Sequence, residues 1–511
     1  MSHRLVAVFA AALLGSLLGC DDPADRARRA ELLPLHATRG ENAAIFDSAG
    51  RQVLLRGVNL NVLGDYYQAS PALEPVYPFA AEMFAEIAAH GFDVVRLIVS
   101  WSALEPQPGQ IDRDYLARIR QAVDAAAANG VYVVLDMHQD AWGKHIATRT
   151  GEVCPPNKEP AIGWDGAPAW ATLTDGASTC RSPGFREDSP AVVNAFLAFY
   201  EDRDGIQSRL VEAWAALAAE LAGDAAVAGY DLLNEPHYVS VTRAETASDL
   251  GRFYGRTIAA IRAAEIAAGG FPHIIFFEPL IHFPLVGSTP PPDFTEDENI
   301  VFAPHNYAES INSFFTIEMQ FQTIRRAASR YDTTFWIGEW GWFGAPAENQ
   351  ARVVRYGQQE DLHLVGGTWW QWLQACGDPH NLGGAVAAGD LSPGVEAAPA
   401  EQIQFHRITC PGGEYQVIEE WAQVLGRARP LAAPGRILTL ASDGLAGTLH
   451  LTGDAEGADP VAPLELWVPA RAPTTPVITG VNLAPPEVRE VAGGYRISAQ
   501  VSGSYQIDIT Y

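Results

Sequence analysis

The sequence predicts an α/β protein: a (β/α)8 TIM barrel carrying a C-terminal antiparallel β-sandwich. Three observations predict it. Between about residue 50 and residue 372, short apolar runs alternate with amphipathic stretches of helical length, the pattern of a buried parallel sheet covered by helices. Polar and aromatic residues collect just after those runs, which in a barrel is a single rim. After Arg429-Pro430 the character changes to short strands punctuated by glycine.

Eight runs read as barrel strands: Val53–Val58, Val94–Val99, Val131–Leu135, Ala228–Leu233, Ile274–Phe277, Ile300–Ala303, Thr334–Ile337 and Gly367–Trp370. Helical patterns separate most of them, at Phe79–His90, Arg113–Asn129, Ile206–Ala222, Ser248–Ala268, Ile317–Arg330 and Ala347–Leu362. Gly366-Gly367 before the eighth run suits close backbone packing. The competing architecture is a doubly wound sheet, but no Gly-rich phosphate loop follows any strand, which disfavours it. Two long Gly/Pro-rich insertions leave the rim, Asp140 to about Gly205 and Cys376 to about Gly413, and loops of that length can wall a substrate cleft. The sandwich is expected from Ile437–Leu440, Thr448–Leu451, Leu464–Val468, Val477–Val481, Tyr495–Val501 and Tyr505–Ile509. These elements divide the chain into residues 41–430 and 431–511.

Residues 1–19 read as an export signal. Arg4 supplies the charge, Leu5 to Leu18 the apolar stretch, and Leu17-Leu18-Gly19-Cys20 the end. That end resembles a bacterial lipoprotein signal, which implies lipid on Cys20 and anchoring to a membrane, with residues 20–40 as a tether. An ordinary secretory signal is the alternative. Four cysteines remain: Cys154, Cys180, Cys376 and Cys410. Export permits disulfides, and pairing within each insertion is the simplest of the three arrangements. No clustered Cys/His spacing marks a zinc site, and no metal or cofactor is expected.

The formal net charge of -27 repels phosphate backbones, so nucleic acid is not an expected partner. An apolar share of 48% supplies a sizeable core, and a monomer is expected.

The chemistry gathers on two glutamates. Glu235 ends Tyr230-Asp231-Leu232-Leu233-Asn234-Glu235, and Glu339 ends Trp336-Ile337-Gly338-Glu339. A single such glutamate is most simply a structural ion-pairing residue. Two of them on facing barrel strands, beside aromatics, suit glycoside hydrolysis, in which one carboxyl protonates the leaving oxygen and the other attacks or activates water. Arg96 lies within the second strand, and His138-Gln139-Asp140 follow the third. Asn234 follows the fourth, Glu278 the fifth, His305-Asn306-Tyr307 the sixth and Trp369 to Trp372 the eighth. Arg96 and Tyr307 are placed to hold Glu339 ionised, and the Glu339 charge is expected to raise the pKa of Glu235.

The set resembles glycoside hydrolase family 5. The residues that carry the resemblance run from Leu54 to Asn59, Gly91 to Arg96 and Asp136 to Asp140. They continue through Leu233 to Pro236, His305 to Tyr307, Gly338 to Trp340 and Trp369 to Trp372. The resemblance implies a retaining double displacement with Glu339 as nucleophile and Glu235 as acid/base. It implies Asn234 on the sugar 2-hydroxyl, His138 and His305 around the first subsite, and a strand-8 tryptophan, Trp369 or Trp372, as stacking floor. Strand alternation turns Trp370 the opposite way to Trp369. His138-Gln139-Asp140 and the Trp-Trp-x-Trp end are closest to the endoglycoceramidase and glycolipid β-glucosidase branch, which implies that Asp140 binds sugar and that the substrate is a glycolipid. A Ser-Lys that some members of that branch carry is missing from the loop Asn59 to Tyr67. Two other readings stand beside it: an exported family 5 enzyme acting on polysaccharide or small glycosides, and a non-catalytic sugar-binding lipoprotein.

Overall fold

The computed structural model describes residues 32–380, 404–409, 414–471 and 475–511, apart from 70, 238, 240 and 241. The signal segment 1–19, Cys20 and Cys410 lie outside the described residues.

Eight parallel strands form the barrel: Arg56–Leu60, Val94–Ser100, Tyr132–His138, Val227–Asp231, Ile274–Phe277, Ile300–Phe302, Ile337–Trp340 and Gly367–Trp369. They neighbour one another in that order, and the eighth pairs back onto the first. Closure between the sixth and seventh runs through a parallel bridge of Phe302 with Phe335, one residue short of the Trp336 amide that donates to the Phe302 carbonyl at 2.9 Å. A Cβ on Gly366 would stand 1.9 Å from the Leu54 carbonyl oxygen, so the backbone approach there admits only glycine.

The expected run Val53–Val58 divides in two. Leu55 takes a left-handed φ of 58°, and this turn separates Arg51–Val53, which joins another sheet, from the barrel strand that starts at Arg56. The helices follow the apolar spacing closely. In Arg113–Ala128 the cap Asp112 accepts from the Tyr115 amide, and Leu116, Ile119 and Val123 are buried. One further helix, Pro190–Tyr200, lies inside the first insertion with Ser189 as its cap.

Inside the barrel the lower layer is apolar, with Val94, Val134, Phe276, Val301 and Trp336 in one cluster. Two residues further along a strand the side chain points inward again. That step replaces Val94 by Arg96 and Val134 by Asp136, both fully buried. The barrel therefore changes from hydrocarbon to charge toward the strand ends, where the candidate site lies.

The sandwich has a seven-stranded and a four-stranded sheet around Leu440, Leu451, Leu466, Ile497 and Ile507. The larger sheet takes three strands from the N-terminal side, Leu35–Ala37, Ile45–Asp47 and Arg51–Val53, through the pairing of Gln52 with Ala433. This corrects two expectations. Residues 35–37 are not tether, and the C-terminal domain is not built from residues 431–511 alone. Strands of three residues carry no periodicity of their own; they pair with one another locally, and only Arg51–Val53 joins them to a strand some 380 positions away in the chain. The strand Glu487–Val491 was not expected either; its residues are almost all exposed and lack alternation.

Cys154 and Cys180 form a disulfide with Cα atoms 5.5 Å apart, which closes residues 154–180 within the first insertion. Cys376 is disulfide-bonded as well; its expected partner Cys410 is outside the described residues. Among the described residues no helix is long and apolar enough to cross a membrane.

Candidate active site

Arg96 organises the site. Its guanidinium is fully buried and touches four carboxylates: Asp136 at 3.0 Å, Asp231 at 2.9 Å, Glu278 at 3.0 Å and Glu339 at 2.9 Å. It also donates to Asn59 Oδ1 at 3.1 Å and Asn234 Oδ1 at 3.0 Å. So many acids around one cation cannot all ionise at ordinary pH. Burial pushes Asp231 well above the usual carboxylate range against the pull of Arg96, and Glu278 is raised for the same first reason.

Glu339 ends the seventh strand. Oε1 accepts from Arg96 Nη1, and Oε2 accepts from the Tyr307 hydroxyl at 3.0 Å. Glu235 follows the fourth strand in a left-handed conformation, φ 37°, which costs a non-glycine residue about 1–2 kcal/mol. Glu278 Oε2 accepts from the Glu235 amide at 2.9 Å and holds that turn. Carboxylate oxygens of Glu235 and Glu339 lie within 4.8 Å of each other and of a His305 nitrogen.

His305 sits among three glutamates. Nδ1 is 2.8 Å from Glu235 and 3.3 Å from Glu339, and Nε2 is 3.2 Å from Glu278. Burial opposes its charge, but Glu278 and Glu339 outweigh burial and hold the imidazolium well above its ordinary pKa. His138 Nδ1 lies 2.6 Å from Asp136 Oδ2, its buried Nε2 lies 3.9 Å from Asp140 Oδ2, and the residue lines the cavity. Asn234 Nδ2 donates to the Gln139 carbonyl at 3.0 Å.

The expectation for Glu235 is corrected. Burial raises its pKa, but hydrogen bonding and attraction from His305, together with Arg186, outweigh burial and leave it below its ordinary value. Arg186 Nη2 is 2.9 Å from Glu235 Oε2 and 2.6 Å from Asp140 Oδ1. Arg186 comes from the first insertion, where no periodicity or motif marks it. His380, from the loop after the eighth strand, was likewise not foreseen. Its Nε2 is 3.0 Å from Asp140 Oδ2 and its Nδ1 is 2.8 Å from Asp378, and against burial these two acids raise it to about 9. Both oxygens of Asp140 are thus engaged. Beneath them burial, reinforced by Asp140, pushes Asp165 up to about 7 against the pull of His138.

The tryptophan assignment is also corrected. Trp369 is fully buried against Trp340 and Trp421, and Trp372 against Phe405 and His406. Neither lines the cavity. Trp370 does, its ring stacked on His138 with centroids 5.5 Å apart. The barrel strand ends at Trp369, so strand alternation does not settle where its successors point. Trp370→Ala is expected to raise KM about tenfold, the scale of one lost aromatic stack, as initial-rate kinetics would register. Trp369→Ala and Trp372→Ala are expected to cost about 3–5 kcal/mol of stability and to leave KM of the folded fraction unchanged.

Glu235, Glu339, His305, Tyr307 and Arg186 line a cavity of about 980 Å³. Its lining also carries His138, Asp140, Trp370 and His380, and the apolar side chains Ile281, Phe283, Ile311 and Phe343 from the loops after the fifth, sixth and seventh strands.

Residues 46–375 match the family model for cellulase, glycosyl hydrolase family 5. The crystal structure of an endogalactoceramidase is similar at 45% identity and a TM-score of 0.84, covering 94% of this chain and all of that one. The lactosyl-enzyme intermediate of endo-glycoceramidase II from Rhodococcus sp. shares the fold at 23% identity and a TM-score of 0.67, covering 91% of this chain and 99% of that one. Endoglycoceramidase I of Rhodococcus hoagii is 34% identical over 207 residues, which are 40% of this chain and 37% of the relative, so the match spans little more than a third of that protein's length. With the family model spanning the whole barrel, the chain belongs to glycosyl hydrolase family 5.

Proposed function

We propose that the protein is a retaining β-glycosidase that releases the glycan from a glycosphingolipid or a similar glycolipid. The observation that carries the reaction is the separation of the two carboxylates. Oxygens within 4.8 Å fit the roughly 5–5.5 Å carboxyl separation of a retaining enzyme better than the about 6.5–9.5 Å of an inverting one. Glu339, held by Arg96 and Tyr307, attacks the anomeric carbon. The bond to the aglycone breaks and its oxygen takes the Glu235 proton. In the second half Glu235 takes a proton from water, the hydroxide attacks the glycosyl ester, and Glu339 leaves as carboxylate. His138, Asp140 and Trp370 hold the sugar, and the apolar side chains of Ile281, Phe283, Ile311 and Phe343 receive the lipid.

The names of the relatives, an endogalactoceramidase and endoglycoceramidases, support the lipid aglycone, and so does the exposure of apolar residues at the rim. Phe343 is 47% and Ile311 64% exposed where they line the mouth. Incubation with glucosyl- and galactosyl-linked ceramide glycolipids should release intact oligosaccharide, with no cleavage of cellulose oligomers. Cleavage of cellulose oligomers alone would sink the glycolipid reading in favour of a polysaccharide enzyme. We also propose that the chain is exported and anchored through lipid at Cys20. The supporting sequence is Leu17-Leu18-Gly19-Cys20, and Cys20→Ser should move the protein from the membrane fraction to the soluble fraction on fractionation of expressing bacteria.

A further inference from the structure

Both oxygens of Glu235 are occupied by cationic groups: Oε1 by His305 Nδ1 at 2.8 Å and Oε2 by Arg186 Nη2 at 2.9 Å. A carboxyl held between two cations is kept in its ionised form, which cannot give a proton to a leaving group. Loosening one of the two contacts favours the protonated form that the first half-reaction needs. His305 is the less movable partner. It is 7% exposed, and both of its ring nitrogens are held among Glu235, Glu278 and Glu339.

Arg186 has the opposite properties. It sits on an insertion loop beside Phe185, which is 64% exposed, and its own side chain is 21% exposed and lines the cavity. It also has somewhere to go. Asp140 lies 2.6 Å from the same Nη2, Glu187 pairs with its Nε, and the Trp164 ring lies under the guanidinium at 5.0 Å. Leaving Glu235 costs it one charge partner and keeps the rest.

We propose that Arg186 is a positioning residue for the acid–base step. It covers the Glu235 oxygen that must carry the proton in the empty enzyme, and the aglycone displaces it onto Asp140 and Glu187. The inference rests on the retaining mechanism above. It makes the acid available only once the leaving group is in place, and it returns a cation to Glu235 after the aglycone departs. Of the other titratable groups near Glu235, Glu339, Glu278, Asp140 and Glu187 are carboxyls, burial keeps Tyr307 a neutral phenol, and burial holds His282 below its ordinary pKa. Glu339 and Tyr307 lie across the cavity, Glu278 under the backbone turn, and His282 along the loop after the fifth strand. Asp140 and Glu187 share the insertion side. His380, also on a loop, pairs with Asp140 and Asp378, and Arg186 is the loop cation in direct contact with Glu235.

The test is a pair of pH profiles on the full chain with octyl β-glucoside or octyl β-galactoside, whichever is hydrolysed faster. A poor leaving group keeps the first step limiting. The alkaline limb of kcat/KM reports Glu235 in the free enzyme and that of kcat reports it in the complex. In the wild type the kcat/KM limb should fall about one pH unit below the kcat limb, the low end of what a neighbouring guanidinium does to a carboxyl. In Arg186→Met the kcat/KM limb should rise to meet the kcat limb, and Arg186→Lys should restore much of the gap. Coincident limbs in the wild type overturn the proposal without any variant. So does an Arg186→Met enzyme whose limbs stay apart. The retaining mechanism fails separately, if Glu339→Gln still turns over substrate.

Discussion

Glu339→Gln is expected to lower turnover of an aryl β-glycoside by about 10⁴-fold or more, the scale on which a covalent nucleophile is missed. The amide has the shape of the carboxylate but cannot form the glycosyl ester. It keeps a hydrogen-bond acceptor for Arg96 or Tyr307, which are 2.9 and 3.0 Å from the native oxygens. Arg96 retains Asp136, Asp231 and Glu278 as partners. The variant should therefore fold with a melting temperature near that of the wild type and still bind sugar. Wild-type turnover by the variant would remove Glu339 from the mechanism. The same measurement rejects the reading of the chain as a non-catalytic sugar-binding protein if the wild type turns over and the variant does not.

Arg96→Met should damage the fold itself. The side chain is completely buried and contacts four carboxylates, and removing one partner of a buried ion pair leaves the others uncompensated at about 3–5 kcal/mol. The loss should depend on pH with a definite sign. Asp231 and Glu278 already lie above the usual carboxylate range because of burial, and losing the arginine raises them further. A carboxyl whose folded pKa is raised binds more protons folded than unfolded, so stability falls as pH rises. The deficit relative to wild type, read from denaturant unfolding, should be smaller at pH 5 than at pH 8. A deficit independent of pH would mean that the four acids are compensated by something other than Arg96. Lysine should not rescue the variant, because one ammonium cannot reach acids spread around a planar fork.

The site and its support differ in how far they can be read from the sequence. Glu235, Glu339, His138, Asn234, His305 and Tyr307 sit at or just past the ends of apolar runs, with Arg96 inside one, and in a parallel barrel those ends share one rim. Their convergence follows from topology alone. Arg186 and His380 arrive from insertions whose paths depend on a disulfide, on Trp164 and on Asp140. Their positions are set by contacts far apart in the chain, so local pattern carries no trace of them. The electrostatics of Glu235 went the same way. Proximity to Glu339 argued for a raised pKa, and two cations that only the folded chain brings together reversed the direction.

The three tryptophans make the same point on a smaller scale. Alternation puts Trp369 and Trp370 on opposite faces, but which face meets the cavity depends on where the strand stops and on what fills the space behind it. Trp340 and Trp421 occupy that space for Trp369, and Phe405 and His406 for Trp372. What the sequence by itself determined was the barrel, its rim and the two glutamates, because strand periodicity and strand order are local properties that a parallel topology converts into one site. What only the tertiary structure decided was the charge state of the acid/base, the tryptophan that faces the sugar, and the N-terminal strands of the sandwich. Each of these depends on through-space partners tens to hundreds of residues away, and burial, ion pairing and strand pairing act over ångströms, whatever the separation along the chain.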